Sequence, residues 1–320
     1  MDVPRSDLLI DMVEAEHRGD RQRFRAVVEA VISEERAKQH HLVADRLTEI
    51  VSTSGVSMSA TRNGYRGSDL LLEIVPQRCL DGLVLASGIE RETRQVIEEH
   101  HRADVLRAHN LEPRHRIVLQ GPPGNGKTTL AEAIAAEVMV PLLVVRYEAV
   151  VSSFLGETAA RLDALFDHVR TRRCVLFFDE FDTLGKERAD EHETGEVKRV
   201  VSSLLLQIDR LPSHVIVVAA TNHGELIDRA AWRRFQVRLE LATPSRAQIE
   251  AFVGSLERRL GGGFGLAPRT MADRLRGASY SDVEQLCLDV RRRYVLDLPD
   301  ADLRAITSER LKSWQPQTPR

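Results

Sequence analysis

No part of this chain restricts its fold more than Gly121-Pro122-Pro123-Gly124-Asn125-Gly126-Lys127-Thr128, with Thr129 following. The stretch fits G-x-x-x-x-G-K-[ST], a phosphate-binding loop pattern. Glycines at 121, 124 and 126 allow backbone conformations closed to other residues, so successive N–H groups can point inward at a phosphate. Lys127 adds a point charge able to reach β- and γ-phosphates, and the Thr128 hydroxyl is suited to ligate Mg²⁺. The apolar, β-branched run Arg116 to Gln120 precedes the loop and reads as a strand. LAEAIAAEV follows it as a good helix, whose positive dipole end would face the anion. Strand, glycine loop and helix in that order imply a nucleotide site in a parallel α/β sheet.

Two further strands end in chemistry. Cys174 to Phe178 is a continuous apolar run terminated by Asp179 and Glu180. A buried strand delivers charge to water only at its end, so both carboxylates are expected in a loop-lined site. Beside a phosphate loop, Asp179 is suited to hold Mg²⁺ and Glu180 to orient and activate the attacking water. His214 to Thr221 is a second buried strand, ending at Asn222, whose amide can bond both a γ-phosphate oxygen and that water. Strands are expected at 116–120, 142–146, 174–178, 215–219 and 236–240, alternating with helices, and a strand-like run covers Leu70 to Val75. One helix is expected from Glu90 to Ala108.

The divisions follow composition. Residues 5–51 carry helical stripes and make an N-terminal module (1–51); 52–69 is a Ser/Gly-rich linker; 70–242 is the αβα core. Beyond Leu241 only helices are expected, forming a lid over 243–313 that starts at Thr243-Pro244 and is interrupted by Gly261-Gly262-Gly263, with a tail at 314–320. Hydrophobic residues make up 42% and charged residues 29%, as in a globular protein, and the net charge of −3 argues against a general nucleic-acid-coating surface. No apolar run reaches membrane-spanning length, and the acidic N-terminus does not read as a signal peptide. Cys79, Cys174 and Cys287 read as reduced core residues of a cytoplasmic protein, and His100-His101 as part of a solvated helix face.

Taken together, the motifs resemble those of the AAA+ ATPases, in particular the AAA clade, over about residues 75 to 300. GPPGNGKTT resembles Walker A, VLFFDEFD Walker B, and AATN the sensor-1 element. The resemblance implies ATP and Mg²⁺ as ligands, with Gly121 to Thr129, Asp179, Leu83, Val84 and Ser281 around the nucleotide. Leu83 and Val84 would lie at the adenine. Gly277-Ala278-Ser279-Tyr280-Ser281-Asp282 resembles a G-x-S-G-A-D element, with Tyr280 and Ser281 in place of Gly and Ala, and would lie near the ribose. It also implies a finger arginine reaching a neighbouring subunit's nucleotide. Arg233 lies eleven residues after Asn222 and Arg234 precedes Phe235; the family's Pro-Gly between the two arginines is missing, which leaves both as candidates. Phe154-Leu155-Gly156 resembles a polypeptide-gripping pore loop, and Lys186 to Gly195 a second one.

The implied function is ATP hydrolysis in a homo-oligomeric ring, a hexamer in this family, coupled to remodelling or threading of a protein. Two alternatives stand beside it: an ATP-dependent switch acting on a separate partner such as a peptidase, and a nucleic-acid motor or loader, disfavoured by mild acidity and the hydrophobic pore tripeptide.

Overall fold

A computed structural model describes residues 67–146, 155–182, 196–226 and 229–314. The helices expected over 5–51, nearly all of the linker, Phe154, the segment from Lys186 to Gly195 and nearly all of the tail lie outside these residues.

Buried β-branched and aromatic runs form six strands: β1 (Leu71–Ile74), β2 (Arg116–Gln120), β3 (Leu142–Val145), β4 (Cys174–Phe178), β5 (Val215–Thr221) and β6 (Val237–Glu240). They lie side by side in the order β1-β3-β4-β5-β2-β6. Every residue of β4 and β5 is buried, because helices cover both faces of the sheet. The twofold alternation of a strand sorts the side chains. Cys174, Leu176 and Phe178 pack with Leu165, Phe166 and Ile208 of α4 (Leu155–Arg170) and α5 (Glu196–Asp209). Val175 and Phe177 turn to the other face, against Val96 of α1 (Ser87–His101) and Ile134 of α3 (Lys127–Glu137), numbered around α2 (Ala103–Ala108).

The sheet departs from the all-parallel expectation at one edge. β2 to β6 pair in parallel, whereas β1 runs antiparallel to β3 with Leu72 opposite Val144. As an edge strand preceding the first crossover, β1 needs to pair on one side only, and Arg172 pairs with its exposed Glu73. The single helix expected from Glu90 to Ala108 is two, α1 and α2, broken at Arg102. The buried stripe of α1 ends at His100 and α2 buries nothing, so no packing holds the next turn in line. His100 itself is buried rather than solvated, its Nε2 2.9 Å from the Arg114 carbonyl. Cys174 and Cys287 are buried, but Cys79 is exposed and is not a core residue.

After the short α6 (Arg229–Trp232), the last four helices form their own apolar cluster around Phe264, Met271 and Val283. They are α7 (Arg246–Leu260), α8 (Pro268–Arg274), α9 (Tyr280–Leu296) and α10 (Leu303–Ser313). Ser245, not Thr243, caps α7, because Gln248 stands three residues on and completes a capping box. Gly261, at φ 70°, closes that helix in the left-handed conformation. No described helix is long and apolar enough to cross a membrane.

Candidate active site

β2, β5 and β4 are parallel neighbours, so their carboxyl ends open on one side of the sheet. The glycine loop leaves β2 there. Gly121 has φ 146°, and a Cβ on it would stand 2.2 Å from the Leu241 carbonyl oxygen, so only glycine fits. Gly124 and Gly126 also have positive φ, turning the loop into the first turn of α3. Lys127 is 7% exposed. Its ammonium donates to the carbonyls of Gly121 at 2.7 Å and Pro122 at 3.1 Å and to Asn222 Oδ1 at 2.6 Å. Burial pulls the lysine below its ordinary pKa range, and the Asp179 and Asp182 carboxylates oppose that fall.

At the end of β4, the Asp179 carboxylate accepts from Thr128 Oγ1 at 3.3 Å and from the Glu180 N–H at 3.0 Å. Glu180 is exposed and held at φ 47°, an uncommon conformation for a side-chain-bearing residue. The next residues explain how it stays there. The Phe181 N–H donates to the Ala220 carbonyl at 2.8 Å, and the buried Asp182 accepts from Thr221 Oγ1 at 2.9 Å. These contacts weld the end of β4 to the end of β5, which sets Glu180 and Asn222 on a common edge. Asp182 and Thr221 lie inside VLFFDEFD and AATN, but nothing in either pattern assigns them a role.

The opposite wall is the lid. The Ser281 N–H donates to the Gly124 carbonyl at 3.0 Å, and Tyr280 donates its phenol proton to the Val84 carbonyl at 2.7 Å. Leu83, Val84, Phe252, Tyr280 and Ser281 line a cleft of about 920 Å³ together with Gly124 to Thr129, Asp179, Glu180 and Asn222. Arg78, which donates to Thr129 Oγ1 at 3.3 Å, and Arg258 and Arg259 of α7 also reach the cleft, none of them singled out from sequence. Leu83, Val84 and Ser281 thus fall on the same cleft as the glycine loop.

The residues present fit a phosphate chain. Asn125 is 3% exposed and neither of its amide atoms has a hydrogen-bond partner, so the loop carries buried polar capacity beside the cleft. Lys127 supplies the countercharge. Thr128 and Asp179, two oxygen donors in contact, suit a hard cation such as Mg²⁺.

The model of a family described as "ATPase family associated with various cellular activities (AAA)" matches residues 117–243. An uncharacterized AAA family ATPase of Sinorhizobium fredii, y4kL, is 34% identical over 282 residues, covering 86% of this chain and 85% of that protein. The chain belongs to the AAA ATPase family. The Cell division cycle protein 48 homolog of Archaeoglobus fulgidus is 34% identical over 194 residues, 58% of this chain but only 26% of that protein. Among solved structures, the FIGL-1 AAA domain shares the fold with a TM-score of 0.66 at 22% identity, over 82% of this chain and 94% of that one. The same domain in complex with ADP gives 0.63 at 24% identity.

In this AAA ATPase the two arginines near β6 differ sharply. Arg234 pairs with Asp209 at the end of α5, which also accepts from Arg116 at 2.8 Å. Arg233 is exposed and, among the described residues, has no ion-pair partner. Neither stands among the residues lining the cleft. Leu155 and Gly156 begin α4; Phe154, their partner in the expected pore loop, lies outside the described residues.

Proposed function

We propose that this ATPase hydrolyses ATP at the subunit interfaces of a homo-oligomeric ring, a hexamer, and uses the cycle to remodel or thread a protein. One observation carries the hydrolytic part: the buried Lys127 ammonium bonds Asn222 Oδ1 at 2.6 Å while the adjacent Thr128 bonds Asp179 at 3.3 Å, so the ends of three strands converge on one point.

The roles follow from that geometry. Gly121 to Thr129 wrap the phosphates with main-chain N–H groups, and Lys127 exchanges its carbonyl partners for phosphate oxygens. Thr128 and Asp179 would hold Mg²⁺, which when bound neutralises charge on the phosphates. Glu180 projects at a fixed angle from the welded strand ends and takes the proton of the attacking water, with Asn222 orienting that water from β5. Leu83, Val84 and Ser281 contact the nucleoside. Since Arg234 is half-buried and engaged in an ion pair with Asp209 while Arg233 is exposed, Arg233 is the finger that completes a neighbouring site and Arg234 its anchor. The core over 70–242 thus carries the chemistry and the lid over 243–313 transmits it. The threading part rests on the sequence at Phe154-Leu155-Gly156 and on family membership.

The Glu180→Gln protein tests both parts in one preparation. Mass measurement with and without ATP should show an ATP-dependent hexamer that hydrolyses at least about 100-fold more slowly than wild type. Co-purifying polypeptide should be lost when Phe154→Ala is added. A monomer under both conditions would sink the ring, and retention of polypeptide without Phe154 would sink threading.

A further inference from the structure

The lid closes on the core through the first two residues of α9, which touch two different segments of the core. Ser281 touches the phosphate loop at the Gly124 carbonyl. Tyr280 touches the segment before α1, where its hydroxyl donates to the Val84 carbonyl at 2.7 Å across a sequence separation of 196 residues. Its ring meets Phe252 of α7 edge-on, with centroids 4.9 Å apart and planes at 74°. The start of the helix is fixed by a capping box between Ser279 and Asp282, so neither contact hangs on a loose end. Burial pushes the phenol up to about 12, so it remains a donor at neutral pH.

The phosphates and the base of a nucleotide need different things. The loop and Lys127, which suit the phosphates, belong to the core. A purine base has no charge, so its binding depends on flat apolar surface. That surface is shared between Leu83 and Val84 on the core and Phe252 and Tyr280 on the lid. It is complete only when the lid is down.

We propose that Tyr280 is a positioning residue that latches the lid over the base-binding end of the cleft, presenting its own ring and that of Phe252 as the wall for a purine. The inference rests on the ATP-site reading above. A latch made before the nucleotide arrives keeps the competent conformation populated, and its loss lowers affinity by the fraction of molecules left open.

Tyr280→Phe keeps the ring and removes the hydroxyl. In the full chain, ADP binding should weaken about fivefold, the scale of one net hydrogen bond, and KM for ATP should rise with it. The affinity for inorganic tripolyphosphate should not change. ADP affinity equal to wild type would overturn the latch. An equal loss for ADP and tripolyphosphate would overturn it too, because it would mean general loosening rather than a base-side role. If the unmutated protein binds neither ligand, the ATP-site reading falls and this inference falls with it.

Discussion

The phosphate loop and the lid face each other across one cleft, yet the loop is held by main-chain geometry and the lid, among the described residues, by two hydrogen bonds from one helix start. Gly121, Gly124 and Gly126 have conformations or surroundings that exclude a side chain, and Lys127 is buried among three oxygen partners. On the lid side, the Ser281 N–H and the Tyr280 hydroxyl provide the polar closure onto the core. The contrast teaches that the two walls have different tolerances. The loop must be right before any ligand binds, whereas the lid can open and close at the cost of a few weak contacts.

That contrast can be broken or sharpened at three places. The largest effect is expected outside both walls. Arg233→Ala should lower kcat about 10³-fold as a finger acting in trans, and leave the melting temperature within about 1 °C. Arg234→Ala should instead lower the melting temperature by about 2–4 °C, because Asp209 loses one of two guanidinium partners. Phosphate-release kinetics and thermal scans on both variants read this directly; a catalytic loss confined to Arg234→Ala would reverse the assignment. Next, Lys127→Ala should weaken ADP binding about 100-fold or more by titration calorimetry, since a charge-assisted contact to phosphate disappears. Retained affinity would show that the lid, not the loop, holds the nucleotide. The smallest effect is expected at the seam. In Gly124→Ala the new methyl would stand 2.7 Å from Ser279 Oγ at φ 76°, lifting the lid off the loop. About tenfold weaker ADP binding is expected. If that variant binds like wild type, the two walls are not coupled there.

How far these features could be read from the sequence depended on how local their causes are. The glycine loop, the acidic end of β4 and Asn222 announce themselves because each is a short pattern whose neighbours fix its conformation. The strand positions of β2 to β5 follow from buried apolar runs of the right length. The antiparallel edge at β1 was not legible, because its register is set against β3, dozens of residues away. Nor was the Asp182–Thr221 weld, or the difference between Arg233 and Arg234, which turns on Asp209 lying at the end of a helix that the sequence does not bring near. Tyr280 was visible as a departure from the family element, but its partner Val84 was not. Thr243-Pro244 is by itself a cap pattern, and the choice of Ser245 turns on the glutamine three residues after it.

The contact between Gly121 and Leu241 has a mechanical consequence. Leu241 donates its N–H to the Gln120 carbonyl at 2.7 Å, and its own carbonyl fills the space beside Gly121. Leu241 is also where the chain leaves the sheet for the four terminal helices. The root of the lid is therefore packed against the first residue of the loop that grips phosphate. A displacement of the loop would therefore be felt first at the root of the lid.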